Sequence, residues 1–89
     1  MVCRRMLYRG RVQGVGFRYT ANLLARRSAV VGFVKNLSDG RVELIVEGAD
    51  SDVEVYLGQL AGRMGDNIDG YDATELPPHG SFGHFEIRY

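Results

Sequence analysis

Gly10-Arg11-Val12-Gln13-Gly14-Val15-Gly16-Phe17-Arg18 sets three glycines between an apolar segment and a helix-forming one. Glycine accepts positive φ and lets another group come close to the backbone. A sharp turn of this kind gathers several N–H groups on one concave side, and the helix that follows leaves its first N–H groups unpaired. Both features favour an anion. Arg18 arrives within the first helical turn, and its planar five-donor fork suits a phosphate or a carboxylate. The stretch therefore predicts a strand, an anion-binding turn and a helix, in that order.

Before the turn, Leu7 to Val12 reads as a strand, with Met6, Tyr8, Gly10 and Val12 facing inward. After it, Phe17 to Arg27 reads as a helix with Phe17, Ala21, Leu24 and Ala25 on one face. Val30 to Lys35 is β-branched and aromatic, a strand by propensity. Asn36-Leu37-Ser38-Asp39-Gly40 is hairpin chemistry. Arg41 to Glu47 then alternates, with Val42, Leu44 and Val46 opposite Glu43, Ile45 and Glu47. Ser51 followed by Glu54 fits a capping box, and Val53, Tyr56, Leu57, Leu60 and Met64 make an apolar helical stripe that Gly65 ends. Residues 66–75 are acidic and sparsely apolar, and read as a short edge strand. Pro77 to Gly80 is a loop, and Phe82 to Tyr89 reads as a last strand burying Phe85, Ile87 and Tyr89. The order β-α-β-β-α-β-β predicts an α+β sandwich of ferredoxin-like arrangement, a mainly antiparallel sheet with two helices on one face.

At 89 residues the chain is expected to form one domain, residues 1–89, with a single modest core. No apolar run is long enough to span a membrane, and no signal region follows the basic N-terminus. The one cysteine cannot make an internal disulfide, which together with the missing leader predicts a cytoplasmic protein. Formal net charge is zero, yet residues 1–38 hold eight basic groups and no acid, and residues 39–89 hold all eleven acids. Two readings stay open here. The basic half focuses an anion or a nucleic acid, or the two halves interleave and pair their charges across a sheet. A neutral total argues against nucleic acid.

Several site types are excluded by spacing. No Lys-Ser/Thr follows the glycines as a P-loop requires, and the third glycine of a dinucleotide fingerprint is missing. Cys3 and Arg9 stand at the C-x5-R spacing of cysteine phosphatases, but no glycine between them can make a loop. His79 and His84 have no third ligand nearby, so no metal site is expected. What remains is an anion loop and Arg18, with no nucleophile or base beside them. Positioning and electrostatics alone suit a phosphoryl group on a good leaving group, such as the carboxylate of an acyl phosphate.

Gly10 to Arg18 resembles the first acylphosphatase signature, G-x-V-Q-G-V-x-F-R. Gly32-Phe33-Val34-Lys35-Asn36-Leu37-Ser38-Asp39-Gly40-Arg41-Val42, continuing to Gly48, is similar to the second, G-[FYW]-x-x-N-x-x-x-G-x-V-x5-G. The likeness extends to Phe82–Tyr89 and is weakest across residues 66–76. Tyr8 stands where an aliphatic residue is usual, and Phe33 replaces the commoner tryptophan. The resemblance implies hydrolysis of a carboxyl–phosphate anhydride to carboxylate and inorganic phosphate, with no metal or cofactor. From the charge balance and the short apolar runs, no nucleic-acid or membrane partner is expected beside the acyl phosphate. It implies that Arg18 binds the phosphate with loop amides, here from Val15, Gly16, Phe17 and Arg18, and that Asn36 holds the attacking water. A monomer is expected.

Duller readings stand beside these. Arg18 can be a solvated first-turn arginine, Asn36 simple turn chemistry beside Asp39-Gly40, and Gln13 a tie within the loop rather than a substrate contact. Two rival functions also remain. One is the carbamoyl-phosphate-hydrolysing domain of a hydrogenase-maturation carbamoyltransferase. The other is a non-enzymatic ferredoxin-like anion- or RNA-binding module, against which strand Arg41–Glu47 lacks the aromatic pattern that reads RNA.

Overall fold

Two strands near the chain's start and middle decide the topology. In the computed structural model, which describes all 89 residues, β1 (Val2–Gly10) pairs antiparallel with β3 (Val42–Gly48), which also forms an antiparallel hairpin with β2 (Val30–Asn36). β4 (Ile68–Leu76) adds antiparallel to the free side of β1, and β5 (Phe85–Arg88) adds parallel to β2. The sheet order is β4-β1-β3-β2-β5. Helices α1 (Phe17–Arg26) and α2 (Asp50–Met64) pack on each other and on the sheet. This is the ferredoxin-like α+β arrangement that the alternation of elements predicts.

The strand period of two sorts side chains between the faces. Met6 and Tyr8 of β1 and Val42, Leu44 and Val46 of β3 are buried in the core, where Ala21, Leu24, Val53, Tyr56 and Leu60 of the helices meet them. No helix is long and apolar enough to cross a membrane. The charge halves do interleave. Arg4 pairs with Asp50, Glu54 and Glu75, Arg5 with Glu43 at 2.7 Å, and Arg9 with Asp72 at 3.5 Å.

Several sequence expectations are corrected. β1 begins at Val2 rather than Leu7, because Arg4 and Arg5, which break the apolar pattern, are neutralised by partners from distant elements. It ends at Gly10, where the pairing with β4 shifts register between Arg9 and Gly10. Gly10 is exposed rather than inward, although Val12 is buried. Ser51 makes no capping box. The helix starts two residues earlier than that cap would place it, Ala49 is its N-cap, and Asp50 and Asp52 provide the negative charge that the first turn favours. The edge strand β4 is long, nine residues, because β1 supplies its hydrogen bonds while its own side chains stay largely exposed. Tyr89 is 91% exposed rather than buried, since β5 closes at Arg88.

Residues 77–84 run from one sheet edge to the other, four strand spacings or about 19 Å. They cross the face that the helices leave bare. Phe82 packs on Phe33 with ring centroids 6.2 Å apart, and His79 packs on Phe82 at 4.5 Å. Beneath them Glu47 is 1% exposed, its carboxylate accepting the backbone N–H groups of His79 and Gly80 at 3.1 Å each.

Candidate functional site

Three positive-φ glycines shape the loop between β1 and α1. Gly10 (φ 123°) lies so close to β4 that an added Cβ would stand 2.5 Å from the Asn67 carbonyl oxygen, and the next residue, Arg11, donates its N–H to that same oxygen at 2.9 Å. Gly14 (φ 75°) and Gly16 (φ 82°) then reverse the chain in the left-handed region that other residues avoid. Gly16 is the N-cap of α1 and has no side chain to cap it. The backbone N–H groups of Val15, Gly16, Phe17 and Arg18 accordingly have no hydrogen-bond acceptor within the protein. They sit at the positive end of the helix dipole.

Gly16, Phe17, Arg18 and Asn36 line one cleft of about 290 Å³. Val15 does not line it, and its side chain is partly exposed. Phe17 sends its ring into the core, 5.0 Å from that of Tyr8, so its contribution to the cleft is backbone. Arg18 is half-buried and forms no ion pair with a carboxylate. Its Nη1 donates to the Arg88 carbonyl at 3.4 Å, and its guanidinium lies 4.8 Å from the Tyr89 ring centroid. Asn36 closes β2, opposite Val42, and its side-chain Oδ1 is buried without a hydrogen-bond partner. A buried, unsatisfied acceptor costs about 1–3 kcal/mol, so this oxygen is available to a donor in the cleft, although Asn22 Oδ1 of α1, which does not line the cleft, is unpaired in the same way.

Gln13 joins the two halves of this site. Its Nε2 donates to the carbonyls of Leu37 at 2.7 Å and Arg41 at 2.9 Å, tying the glycine loop to the hairpin that follows Asn36. That is the structural one of its two sequence readings. The hairpin itself is closed by Leu37 N–H donating to the Arg41 carbonyl at 2.8 Å, with Gly40 at φ 94°. Asp39 accepts from the Arg41 backbone at 3.0 Å and from its guanidinium at 2.8 Å, and these bonds hold its carboxyl below the ordinary range.

No residue lining the cleft is an Asp, Glu or His. Tyr19, Ile87 and Tyr89 also line it, and sequence reasoning did not place them there. Tyr19 follows Arg18 in the first turn of α1, whereas only the strand pairing that carries the C-terminus alongside β2 brings in Ile87 and Tyr89. Cys3 and Arg9 stand on one extended strand, about 20 Å apart, and do not face each other across a loop. Cys3 is fully buried, and burial first and the Glu47 carboxylate second push its thiol upward, away from a nucleophile's range. No three His, Cys, Asp or Glu side chains gather closely enough to hold a metal ion.

The sequence profile of the acylphosphatase family matches residues 4–87. The chain belongs to the acylphosphatase family. A curated acylphosphatase from Anaeromyxobacter dehalogenans is 43% identical over 86 residues, which cover 96% of this chain and 92% of that one. Among solved structures, the acylphosphatase from Bacillus subtilis superposes with a TM-score of 0.88 at 31% identity, with full coverage of both chains. T. kodakarensis HypF matches with a TM-score of 0.85 at 32% identity, and there the matched region is only 12% of the longer chain. Both family signatures thus meet on one cleft in this acylphosphatase fold, the first through the loop and Arg18 and the second through Asn36.

Proposed function

We propose that the protein is an acylphosphatase that hydrolyses the carboxyl–phosphate bond of acyl phosphates in the cleft between the glycine loop and Asn36. The observation that carries this reading is the set of unspent hydrogen-bonding groups around that cleft. The unpaired backbone donors of Gly16, Phe17 and Arg18 and an arginine without a counter-carboxylate line one cleft with Asn36, whose carboxamide oxygen is orphaned, and the unpaired Val15 N–H stands next in the loop. The donors suit a phosphate and the lone acceptor suits a water.

In this mechanism the N–H groups of Val15, Gly16, Phe17 and Arg18 and the Arg18 guanidinium bind the three non-bridging oxygens. They stabilise the charge that spreads over those oxygens in a loose transition state. Asn36 Oδ1 accepts a hydrogen bond from a water and turns its lone pair toward phosphorus. The water oxygen forms a new P–O bond, the bond from phosphorus to the acyl oxygen breaks, and the carboxylate leaves with that electron pair. A cleft without a side-chain base passes the water proton to a phosphate oxygen, so the products are carboxylate and dihydrogen phosphate. A weakly basic carboxylate leaves without a general acid. The scheme requires neither metal nor cofactor.

The test is turnover of benzoyl phosphate by the wild-type chain, with inorganic phosphate as competitor, and a crystal structure with phosphate bound. Hydrolysis, competitive inhibition and phosphate seated on the amides of residues 15–18 are expected. Phosphate lodged elsewhere, or no hydrolysis, would overturn the reading.

A further inference from the structure

A second hollow, about 620 Å³ and larger than the cleft, opens between α2 and β4. It exists because α2 packs on α1, β2 and β3, while β4 stands one strand beyond β1 at the sheet edge. Leu57, Gly58 and Ala61 of α2 form one wall, Ile68, Tyr71 and Ala73 of β4 the other, and Met6 and Tyr8 of β1 belong to the same lining. The volume falls in the range of sites for small organic molecules, about 300–1,000 Å³.

Three features select an occupant. First, Tyr8 is 3% exposed, yet no protein group hydrogen-bonds its hydroxyl, whereas the equally buried Tyr56 donates to the Ala21 carbonyl at 2.9 Å. Burial first, and neighbouring Tyr71 second, push the pKa of this hydroxyl further above the ordinary phenol value, so it stays a proton donor. Secondly, one end of the hollow carries Arg4 held by Asp50, Glu54 and Glu75, one cation among three carboxylates. Thirdly, the α2 wall is bare at Gly58. A Cβ there would meet nothing within 4 Å, so this stretch of wall leaves room for an occupant.

We propose that this hollow is a binding site for a small amphipathic organic cation. Its apolar body lies along Leu57, Ile68 and Tyr71, its ammonium meets the carboxylates of Glu54 and Glu75, and an acceptor atom receives the Tyr8 hydroxyl. Charge complementarity sets it apart from the phosphate cleft, which is built for an anion. The two sites share a wall, because the Tyr8 ring lies 5.0 Å from Phe17 and 6.0 Å from Tyr71. The proposal does not depend on the hydrolytic reading.

The experiment is titration of the ¹⁵N-labelled protein, followed by amide NMR, with three probes sharing one body: p-methoxyphenylbutylamine, p-methoxyphenylbutanol and p-methoxyphenylbutyrate. Saturable shifts at Gly58, Ala61 and Ala73 are expected. The amine should bind about fivefold more tightly than the alcohol, with the carboxylate weakest. Glu54→Gln combined with Glu75→Gln should bring the amine down to the alcohol's affinity. Tyr8→Phe, which keeps the ring, should weaken all three probes about fivefold. Gly58→Leu should fill the hollow and abolish binding, and improved helix propensity protects its fold. Equal affinities for the three probes, shifts centred elsewhere, or no saturable binding would overturn the proposal.

Discussion

Removing the Gln13 amide tests whether the glycine loop and the Asn36 hairpin work as one rigid unit. In Gln13→Ala two hydrogen bonds of 2.7 and 2.9 Å disappear. Each is worth about 0.5–1.5 kcal/mol net. Neither acceptor is orphaned, because the Leu37 carbonyl keeps Gly40 N–H at 3.2 Å and the Arg41 carbonyl keeps Leu37 N–H at 2.8 Å. The full penalty of an unsatisfied carbonyl is therefore not incurred, and the expected loss is about 1–2 kcal/mol, or a Tm lower by roughly 5–15 °C for a domain of this size. On the proposed mechanism Gln13 is a positioning residue. Its loss should lower kcat on benzoyl phosphate roughly tenfold by letting Asn36 drift from the loop, while the inhibition constant for inorganic phosphate changes little. A substrate-binding role would instead move that constant. Gln13→Glu sharpens the test, since a carboxylate there would face two carbonyl oxygens. Its acid form, able to donate once, is favoured in the folded state, so the folded pKa lies above the unfolded one. Destabilisation is then complete above the folded pKa and relieved as pH falls toward about 4.3, the ordinary glutamate value. Urea unfolding across pH 4–8 and steady-state kinetics read both effects. If Gln13→Ala unfolds and turns over like the wild type, the loop and hairpin are not coupled through this amide.

Three further outcomes are expected. Arg18→Ala should cost at least ~3 kcal/mol of transition-state stabilisation in kcat/KM, and Arg18→Lys should fail nearly as badly because an ammonium cannot reproduce the fork; a lysine variant with wild-type kcat/KM would rule out that use of the guanidinium. Asn36→Ala should lower kcat by roughly 100-fold while leaving stability equal or higher, since it deletes a buried acceptor that has no partner in the fold; an unchanged kcat would remove its water-holding role. The Asp39 carboxyl is held below the ordinary range by the Arg41 backbone N–H first and its side chain after, so its stabilising contribution is present above about pH 3.9 and lost as pH falls through its folded value. Asp39→Asn should therefore flatten the stability profile below pH 4 in acid unfolding, and an unaltered profile would refute it.

The sequence alone determined what depends on neighbours a few residues apart. Glycine φ preference marks the turn before α1, the 3.6-residue period marks the buried faces of both helices, and Asp39-Gly40 marks the hairpin, so the approximate positions of Arg18 and Asn36 are legible without coordinates. Tertiary structure decided what depends on residues far apart. Arg4 belongs in a strand only because carboxylates from α2 and β4 surround it. Glu47 alternates like a solvent-facing residue yet is buried, because residues 77–84 cross above it and donate two N–H groups to it. Tyr89 lines the cleft instead of the core because β5 ends beside β2. Most of all, only the folded chain shows that Gln13 spends its amide on the hairpin while Asn36 Oδ1 is left without a donor. Backbone preference is a local energy and can be read residue by residue, whereas the pairing of a polar atom is a property of everything that packs around it.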